Sequence, residues 1–92
     1  MTWATVPLDG FRWESGTPRV YASSPDGRRY FCPRCGAQLA LHTARAPLTI
    51  DVTVATLEKP DRYPPTRHVW VRNKLAWVRT DDGLAQDDEE TL

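Results

Sequence analysis

The clearest structural signal in this chain is the alternation of apolar and polar residues in Leu48-Thr49-Ile50-Asp51-Val52-Thr53-Val54-Ala55. When this segment is extended, one face carries Leu48, Ile50, Val52 and Val54, and the other carries Thr49, Asp51, Thr53 and Ala55. A period of two with β-branched residues is typical of a half-buried antiparallel strand. The stretch therefore predicts a strand whose Leu48 face packs against the core.

Working outward from this strand, the rest of the chain also favours short extended segments. Eight prolines interrupt the sequence, and no apolar pattern with the helical period continues for more than two turns. Further strands are predicted at residues 3–6, 20–23, 29–31, 38–43, 68–71 and 76–79. The expected fold class is therefore a mainly β domain of short antiparallel strands.

Three connections have recognisable turn chemistry. Ser24-Pro25-Asp26-Gly27 is predicted to be a turn, because proline presets φ and glycine accepts a positive φ. Asn73-Lys74 separates two apolar segments and predicts a hairpin, since asparagine tolerates the left-handed region. Residues 59–65 contain three prolines and are expected to form an ordered surface loop.

Length and charge limit the classes of function. The chain has 92 residues, enough for one domain, and its twelve basic and twelve acidic residues give a net charge of zero. This balance argues against a strongly basic nucleic-acid binder, which works by neutralising phosphates. No apolar run approaches the roughly 20 residues that span a bilayer. Residues 1–5 show no basic and apolar signal segment, so a cytoplasmic location is expected.

The end of the chain is strongly acidic. Asp87-Asp88-Glu89-Glu90 is followed only by Thr91-Leu92 and is interpreted as a solvated segment. The sequence therefore divides into a β domain over residues 1–84 and an acidic tail over residues 85–92.

The most informative motif is Cys32-Pro33-Arg34-Cys35-Gly36. Two thiolates three positions apart in a tight turn can bind one tetrahedral Zn²⁺, and Gly36 suits a turn that needs a positive φ. A structural zinc normally takes four protein ligands, whereas the chain contains only two cysteines. Cys32 and Cys35 are therefore the predicted metal ligands, but they supply half of a site.

Other roles for these cysteines stay open. The same spacing suits a thioredoxin-type redox pair, although the βαβ pattern of that fold is missing around it. Two unmetallated cytosolic thiols are a further alternative. His42 and His68 are candidates to complete a zinc site, but a histidine on a strand or beside aromatic residues is more often explained by packing.

Other features give weaker functional signals. Asp81-Asp82-Gly83 is interpreted as a turn rather than a pair of catalytic carboxylates, and no phosphate-binding glycine loop is present. The aromatic residues are expected mainly to supply core area, with a binding face as the alternative; they are Trp3, Trp13, Tyr21, Tyr30, Phe31, Trp70 and Trp77.

Taken together, several stretches resemble one known family. They are Gly16-Thr17-Pro18-Arg19-Val20-Tyr21-Ala22-Ser23-Ser24-Pro25, Arg29-Tyr30-Phe31-Cys32-Pro33-Arg34-Cys35-Gly36-Ala37-Gln38-Leu39, Ile50-Asp51-Val52, Ala55-Thr56-Leu57-Glu58-Lys59-Pro60, Pro65-Thr66-Arg67-His68-Val69-Trp70 and Lys74-Leu75-Ala76-Trp77. In order and spacing they are similar to the glutathione-dependent formaldehyde-activating enzymes, a family that also includes centromere protein V. The similarity covers nearly all of residues 2–84.

The resemblance implies a zinc-organised β-tent of antiparallel strands. Cys32 and Cys35 match the later Cys-x-x-Cys of the family's structural zinc, whose other two ligands form an earlier Cys-x-Cys pair. The family's second, catalytic zinc lies on a Cys-x-Cys-x-x-Cys segment in the N-terminal half. Neither earlier cysteine group occurs in this chain, so the N-terminal part of the fold is expected to be missing and no catalytic residue is assigned.

The functional expectations follow from the same resemblance. The family activity is the condensation of formaldehyde with glutathione to S-hydroxymethylglutathione, in the carbon–sulfur lyase class. The expected cofactor is Zn²⁺ and the expected small-molecule partner is a thiol such as glutathione. A homodimer or a complementing N-terminal segment would supply the missing ligands. The alternative is a non-catalytic zinc module that acts in protein interaction or assembly.

Overall fold

A computed structural model describes residues 1–90 of the chain as a mainly β structure. Five antiparallel strands form one sheet in the spatial order β1-β5-β4-β3-β2. The strands are β1 (Trp3–Pro7), β2 (Arg19–Tyr21), β3 (Gly27–Phe31), β4 (Gln38–Thr43) and β5 (Thr49–Thr53). The predicted mainly β fold class, with short antiparallel strands, is therefore confirmed.

Single 3₁₀ turns and one small second sheet complete the chain. The turns lie at Leu8–Gly10, Val54–Thr56, Pro60–Arg62 and Val71–Asn73. Strand β6 (Arg67–His68) pairs in parallel with β7 (Ala85–Gln86). The predicted surface loop over residues 59–65 is exposed throughout and contains the Pro60–Arg62 turn. No helix in residues 1–90 has the length and apolar character needed to cross a membrane.

The predicted central strand exists as β5, but it is shorter at both ends than the alternating segment over residues 48–55. β5 pairs with β1 on one side and β4 on the other, and Ile50 is buried as expected. Leu48 is 82% exposed because it lies in the turn before β5. Thr53, on the face predicted to be polar and exposed, is only 1% exposed. Val54 and Ala55 leave the strand and enter a 3₁₀ turn.

The core is small and aliphatic rather than aromatic. Its buried apolar residues are Ala40, Ile50 and Val54, with Thr53 beside them. The expectation that the aromatic side chains supply the core is wrong for several of them: Trp77 is 77% exposed and Tyr21 is 62% exposed. Trp13 forms an edge-to-face contact with Phe11 and a tilted contact with Tyr30, near the sheet but outside this core.

The second half contains the main errors of the sequence prediction. The strand expected at residues 68–71 is limited to Arg67–His68, and the strand expected at residues 76–79 does not form. Trp70 adopts a left-handed conformation (φ 58°) that turns the chain into Val71–Asn73. No hairpin forms at Asn73-Lys74, because the segment after it has no neighbouring strand to pair with.

The turn between β2 and β3 is confirmed, although the role of its glycine differs from the prediction. The Gly27 N–H donates to the Ser24 carbonyl at 3.3 Å and to the Ser24 hydroxyl at 3.0 Å. Gly27 does not have a positive φ. A Cβ at this position would lie 2.8 Å from Ser24 Oγ, so a larger residue would displace the serine hydroxyl that accepts from the N–H of residue 27.

Candidate metal centre

The two cysteines lie in the connection between β3 and β4, which we call the knuckle (residues 32–37). Within it, the Cys32 N–H donates to the Ala37 carbonyl at 2.9 Å, and the Gly36 N–H donates to the Cys32 carbonyl at 2.8 Å. Gly36 has a φ of 77°, as the sequence predicted. These bonds close a tight turn in which Cys32 is half-buried and Cys35 is exposed, both as free thiols.

The knuckle favours the ionised form of Cys32. The backbone N–H of Cys35, and next the backbone N–H of Arg34, lower the pKa of the Cys32 thiol by hydrogen bonding. The Cys35 thiol and the charge of Arg34 act in the same direction, while partial burial opposes them. A thiolate is the form that binds metal or acts as a nucleophile, so Cys32 is prepared for either role.

A bulge and a buried hydroxyl support the knuckle where β4 begins. Tyr30 pairs with Ala40 but Phe31 pairs with Gln38, which leaves Leu39 without a partner in β3. Thr53 in β5 donates from its hydroxyl to the Gln38 carbonyl at 2.9 Å. The same hydroxyl lies 2.6 Å from that of Thr56. β-bulges are frequent beside functional sites, because they redirect the chain locally.

The structure brings the two cysteines together but adds no histidine to them. His42 Nε2 lies 3.1 Å from the Pro47 carbonyl oxygen, and His68 Nε2 lies 2.8 Å from Asp82 Oδ2. Over residues 1–90, no group of three or more histidine, cysteine or acidic side chains is arranged to hold a metal ion. Cys32 and Cys35 are therefore half of a tetrahedral donor set within this part of the chain.

The His68–Asp82 pair is a feature that the sequence did not reveal. The hydrogen bond from His68, followed by one from the backbone N–H of Leu84, lowers the pKa of the Asp82 carboxyl. The pair connects β6 to the segment that leads into β7. Only the turn at Asp81-Asp82-Gly83 was visible in the sequence, since the fourteen-residue separation gives no local signal.

Comparison with known proteins shows the family of the chain. Residues 1–73 match the family described as glutathione-dependent formaldehyde-activating enzyme. The chain belongs to this family. Searches of the curated proteins and of the solved structures found no match. The matched part of the formaldehyde-activating family contains the whole five-stranded sheet, the knuckle and β6.

Family membership gives the cysteine pair a chemical context. The formaldehyde-activating family is generally associated with zinc, and its description names glutathione and formaldehyde. The donors of the knuckle suit zinc, because a thiolate that accepts two backbone N–H hydrogen bonds is a soft anionic ligand held in place. Residues 1–90 bring only these two sulfur donors together, so a four-ligand zinc site would need two further donors.

Proposed function

We propose that this chain is a zinc-binding protein of the formaldehyde-activating family, with Cys32 and Cys35 as its metal ligands and glutathione as its small-molecule partner. The observation that carries the proposal is the knuckle itself, in which backbone N–H groups of Arg34 and Cys35 stabilise the Cys32 thiolate. The proposal places the protein in the cytoplasm, where reducing conditions keep such thiols available for metal.

The bound zinc would supply structural stabilisation by joining the ends of β3 and β4 to further ligands. A complete zinc-finger-type site is worth on the order of 10–16 kcal/mol at neutral pH, which becomes folding free energy. The small core of this chain makes such a contribution important. On this proposal the two missing donors come from a second copy of the chain or from a complementing N-terminal segment.

The family reaction joins the glutathione sulfur to the carbon of formaldehyde. We assign no catalytic residue in this chain, because only two cysteines are present and both belong to the knuckle. A second candidate function is a non-catalytic zinc module for protein interaction or assembly. It is favoured by the placement of both cysteines of the chain in the knuckle, where they would serve one structural zinc.

Zinc content tests the proposal directly. Freshly purified protein should contain zinc by elemental mass spectrometry, and Cys32→Ser and Cys35→Ser should each lose it. His42→Ala is the matched control and should retain zinc, because His42 is bonded to the Pro47 carbonyl rather than to the knuckle. Wild-type protein without zinc, or zinc that survives both cysteine substitutions, would contradict the proposal.

A reaction assay separates the two candidate functions. The zinc-loaded chain is mixed with ¹³C-formaldehyde and glutathione, and S-hydroxymethylglutathione formation is followed by NMR above the spontaneous rate. Acceleration that Cys32→Ser abolishes supports the lyase role. Zinc binding without acceleration supports the non-catalytic module.

A further inference from the structure

A groove beside the knuckle is lined by arginine and aromatic side chains. It has a cavity volume of about 490 Å³ and is lined chiefly by Arg19 and Tyr21 from β2, Arg29 and Phe31 from β3, and Gln38 from β4. Gly36 of the knuckle closes one side. A volume of this size suits a small molecule.

Strand register explains why these side chains share one face. Arg19 lies opposite Phe31 and Tyr21 lies opposite Arg29, so all four project from the same side of the β2–β3 pair. Arg19 and Arg29 are diagonal neighbours, about 7–8 Å apart at the backbone, which long side chains span easily. The groove thus contains two arginine and two aromatic side chains on one face of the sheet.

The two arginines have no acidic partner. Neither forms an ion pair in the described part of the chain, and no lining residue of the groove is acidic. Arg29 Nη1 approaches only the neutral Gln38 side chain, at 3.5 Å. Four other arginines do pair with carboxylates, namely Arg12, Arg67, Arg72 and Arg79. Guanidinium groups without partners in a shared groove are suited to planar anions, which they bind in bidentate fashion.

We infer that this groove binds a small dicarboxylic acid, with Arg19 and Arg29 each holding one carboxylate and Tyr21 and Phe31 covering its carbon skeleton. Glutathione is a dicarboxylic acid, and its identification as the occupant rests on the proposed function. The groove adjoins the knuckle through Gly36, the residue that follows Cys35 in the chain.

NMR titration of the full ¹⁵N-labelled chain with succinate, and separately with glutathione, tests this inference. Both acids should bind saturably and shift the amide signals of β2 and of Arg29 and Phe31. Arg19→Gln and Arg29→Gln should each weaken binding about tenfold or more, as expected for the loss of a charged hydrogen-bonded pair. Arg29→Lys should also weaken binding, because it keeps the charge but loses the planar fork.

Arg28→Gln is the matched control, since Arg28 neighbours Arg29 in β3 but projects from the opposite face. It should change affinity less than twofold, and a well-dispersed spectrum should verify the fold of every variant. The inference is overturned if neither acid binds at millimolar concentration, or if Arg28→Gln weakens binding as much as Arg29→Gln. Succinate binding without glutathione binding would support the groove while counting against the proposed function. Glutathione binding that requires Cys32 but neither Arg19 nor Arg29 would overturn the groove and leave the proposed function intact.

Discussion

At the scale of single residues, Cys32 is the group whose chemistry the fold alters most clearly. The backbone N–H groups of Cys35 and Arg34 lower the pKa of its thiol, and the hydrogen bond from the Gly36 N–H to the Cys32 carbonyl closes the turn that holds them beside it. Each of these two N–H groups stabilises the thiolate relative to the thiol. The conformation of the knuckle therefore favours the thiolate form of Cys32, the form that the proposed zinc site would use.

This thiolate should be detectable because Cys32 is alkylated at a lower pH than an ordinary thiol. In metal-free Cys35→Ser protein, where serine keeps a donor at position 35, Cys32 should react with iodoacetamide along a pH profile whose midpoint lies below that of an ordinary thiol. The sign follows from the lowered pKa, because the reactive thiolate forms at lower pH. Mass spectrometry measures the modified fraction, with free glutathione as the reference. A midpoint equal to that of glutathione would show that the knuckle does not stabilise the thiolate.

Thr53 is the second residue whose role depends on tertiary contacts. Its burial behind the bulge is compatible with a hydroxyl because that hydroxyl donates to the Gln38 carbonyl and lies within hydrogen-bond distance of the Thr56 hydroxyl. The alternation in the sequence placed Thr53 on the exposed face. That prediction failed because the Thr53 hydroxyl contacts the Gln38 and Leu39 carbonyls at the bulge, a tertiary contact that gives no signal in the sequence.

Thr53→Val should destabilise the fold by about 1–3 kcal/mol, because the Gln38 carbonyl would lose its partner inside the protein. Urea unfolding followed by circular dichroism measures the change. Thr49→Val is the matched control in the same strand, since the Thr49 hydroxyl makes only a 3.5 Å contact to the Ala46 carbonyl. Equal losses in both variants would contradict a special role for Thr53.

At the scale of elements, the sequence predicted the strands that have strong local patterns. β4 was predicted with its observed bounds, β5 was recognised from its alternation, and β1 differs by one residue at its end. The residues at 76–79 have strand propensity but no partner, and a strand exists only through pairing. The pairing of Ala85–Gln86 with Arg67–His68 joins distant segments, so no local pattern could predict it.

The candidate site, like the strands, was predictable from the sequence only where its residues form a local pattern. Cysteine spacing alone identified Cys32 and Cys35, because two ligands in one turn are a local property. The arginine groove needs the register of β2 against β3, which the sequence does not specify at this precision. The His68–Asp82 pair likewise depends on how the chain returns to β6.

The predicted acidic tail makes definite contacts in its described part, residues 85–90, while residues 91–92 lie outside the described residues. The Asp87 N–H donates to the His68 carbonyl at 2.8 Å, and the Val71 N–H donates to the Asp87 carbonyl at 3.1 Å. Arg67 pairs with Asp87, and Arg72 pairs with Glu89. These contacts join the tail to β6 and to the Val71–Asn73 turn. Glu90 also lies close to the large sheet, because partial burial and then the charge of Asp51 in β5 raise the pKa of its carboxyl.

Removing residues 85–92 should therefore loosen β6 and the following turn while leaving the five-stranded sheet folded. Hydrogen exchange measured by NMR should show faster exchange at Val71, which loses its acceptor, and little change at the β4–β5 pairs such as Leu41 with Asp51. Arg67→Gln in the full chain is a milder control that removes only one ion pair. Loss of protection across the whole sheet would show that the tail belongs to the domain.

At the scale of the whole molecule, the chain is less compact than its mass suggests. Its accessible surface is 7345 Å², whereas a folded monomer of this mass exposes about 5,400 Å². Among residues 1–90 only three apolar side chains are buried, while Leu48, Leu75 and Trp77 remain largely exposed. A core this small gives little stability, so a metal or a second chain is the expected source of the remainder.

A metal and a second chain would together stabilise the molecule if two chains share one zinc ion through four cysteines. Sedimentation at micromolar concentration should then show a zinc-containing dimer with about half a zinc per chain, because each knuckle supplies two of the four ligands. Chelation of the metal should yield monomers, and Cys32→Ser should be monomeric at the same concentration. His68→Ala should still dimerise and bind zinc, because the His68 side chain is paired with Asp82 rather than with the knuckle. A compact zinc-free monomer would contradict this arrangement, and one zinc per monomer would show that this chain completes the site by itself.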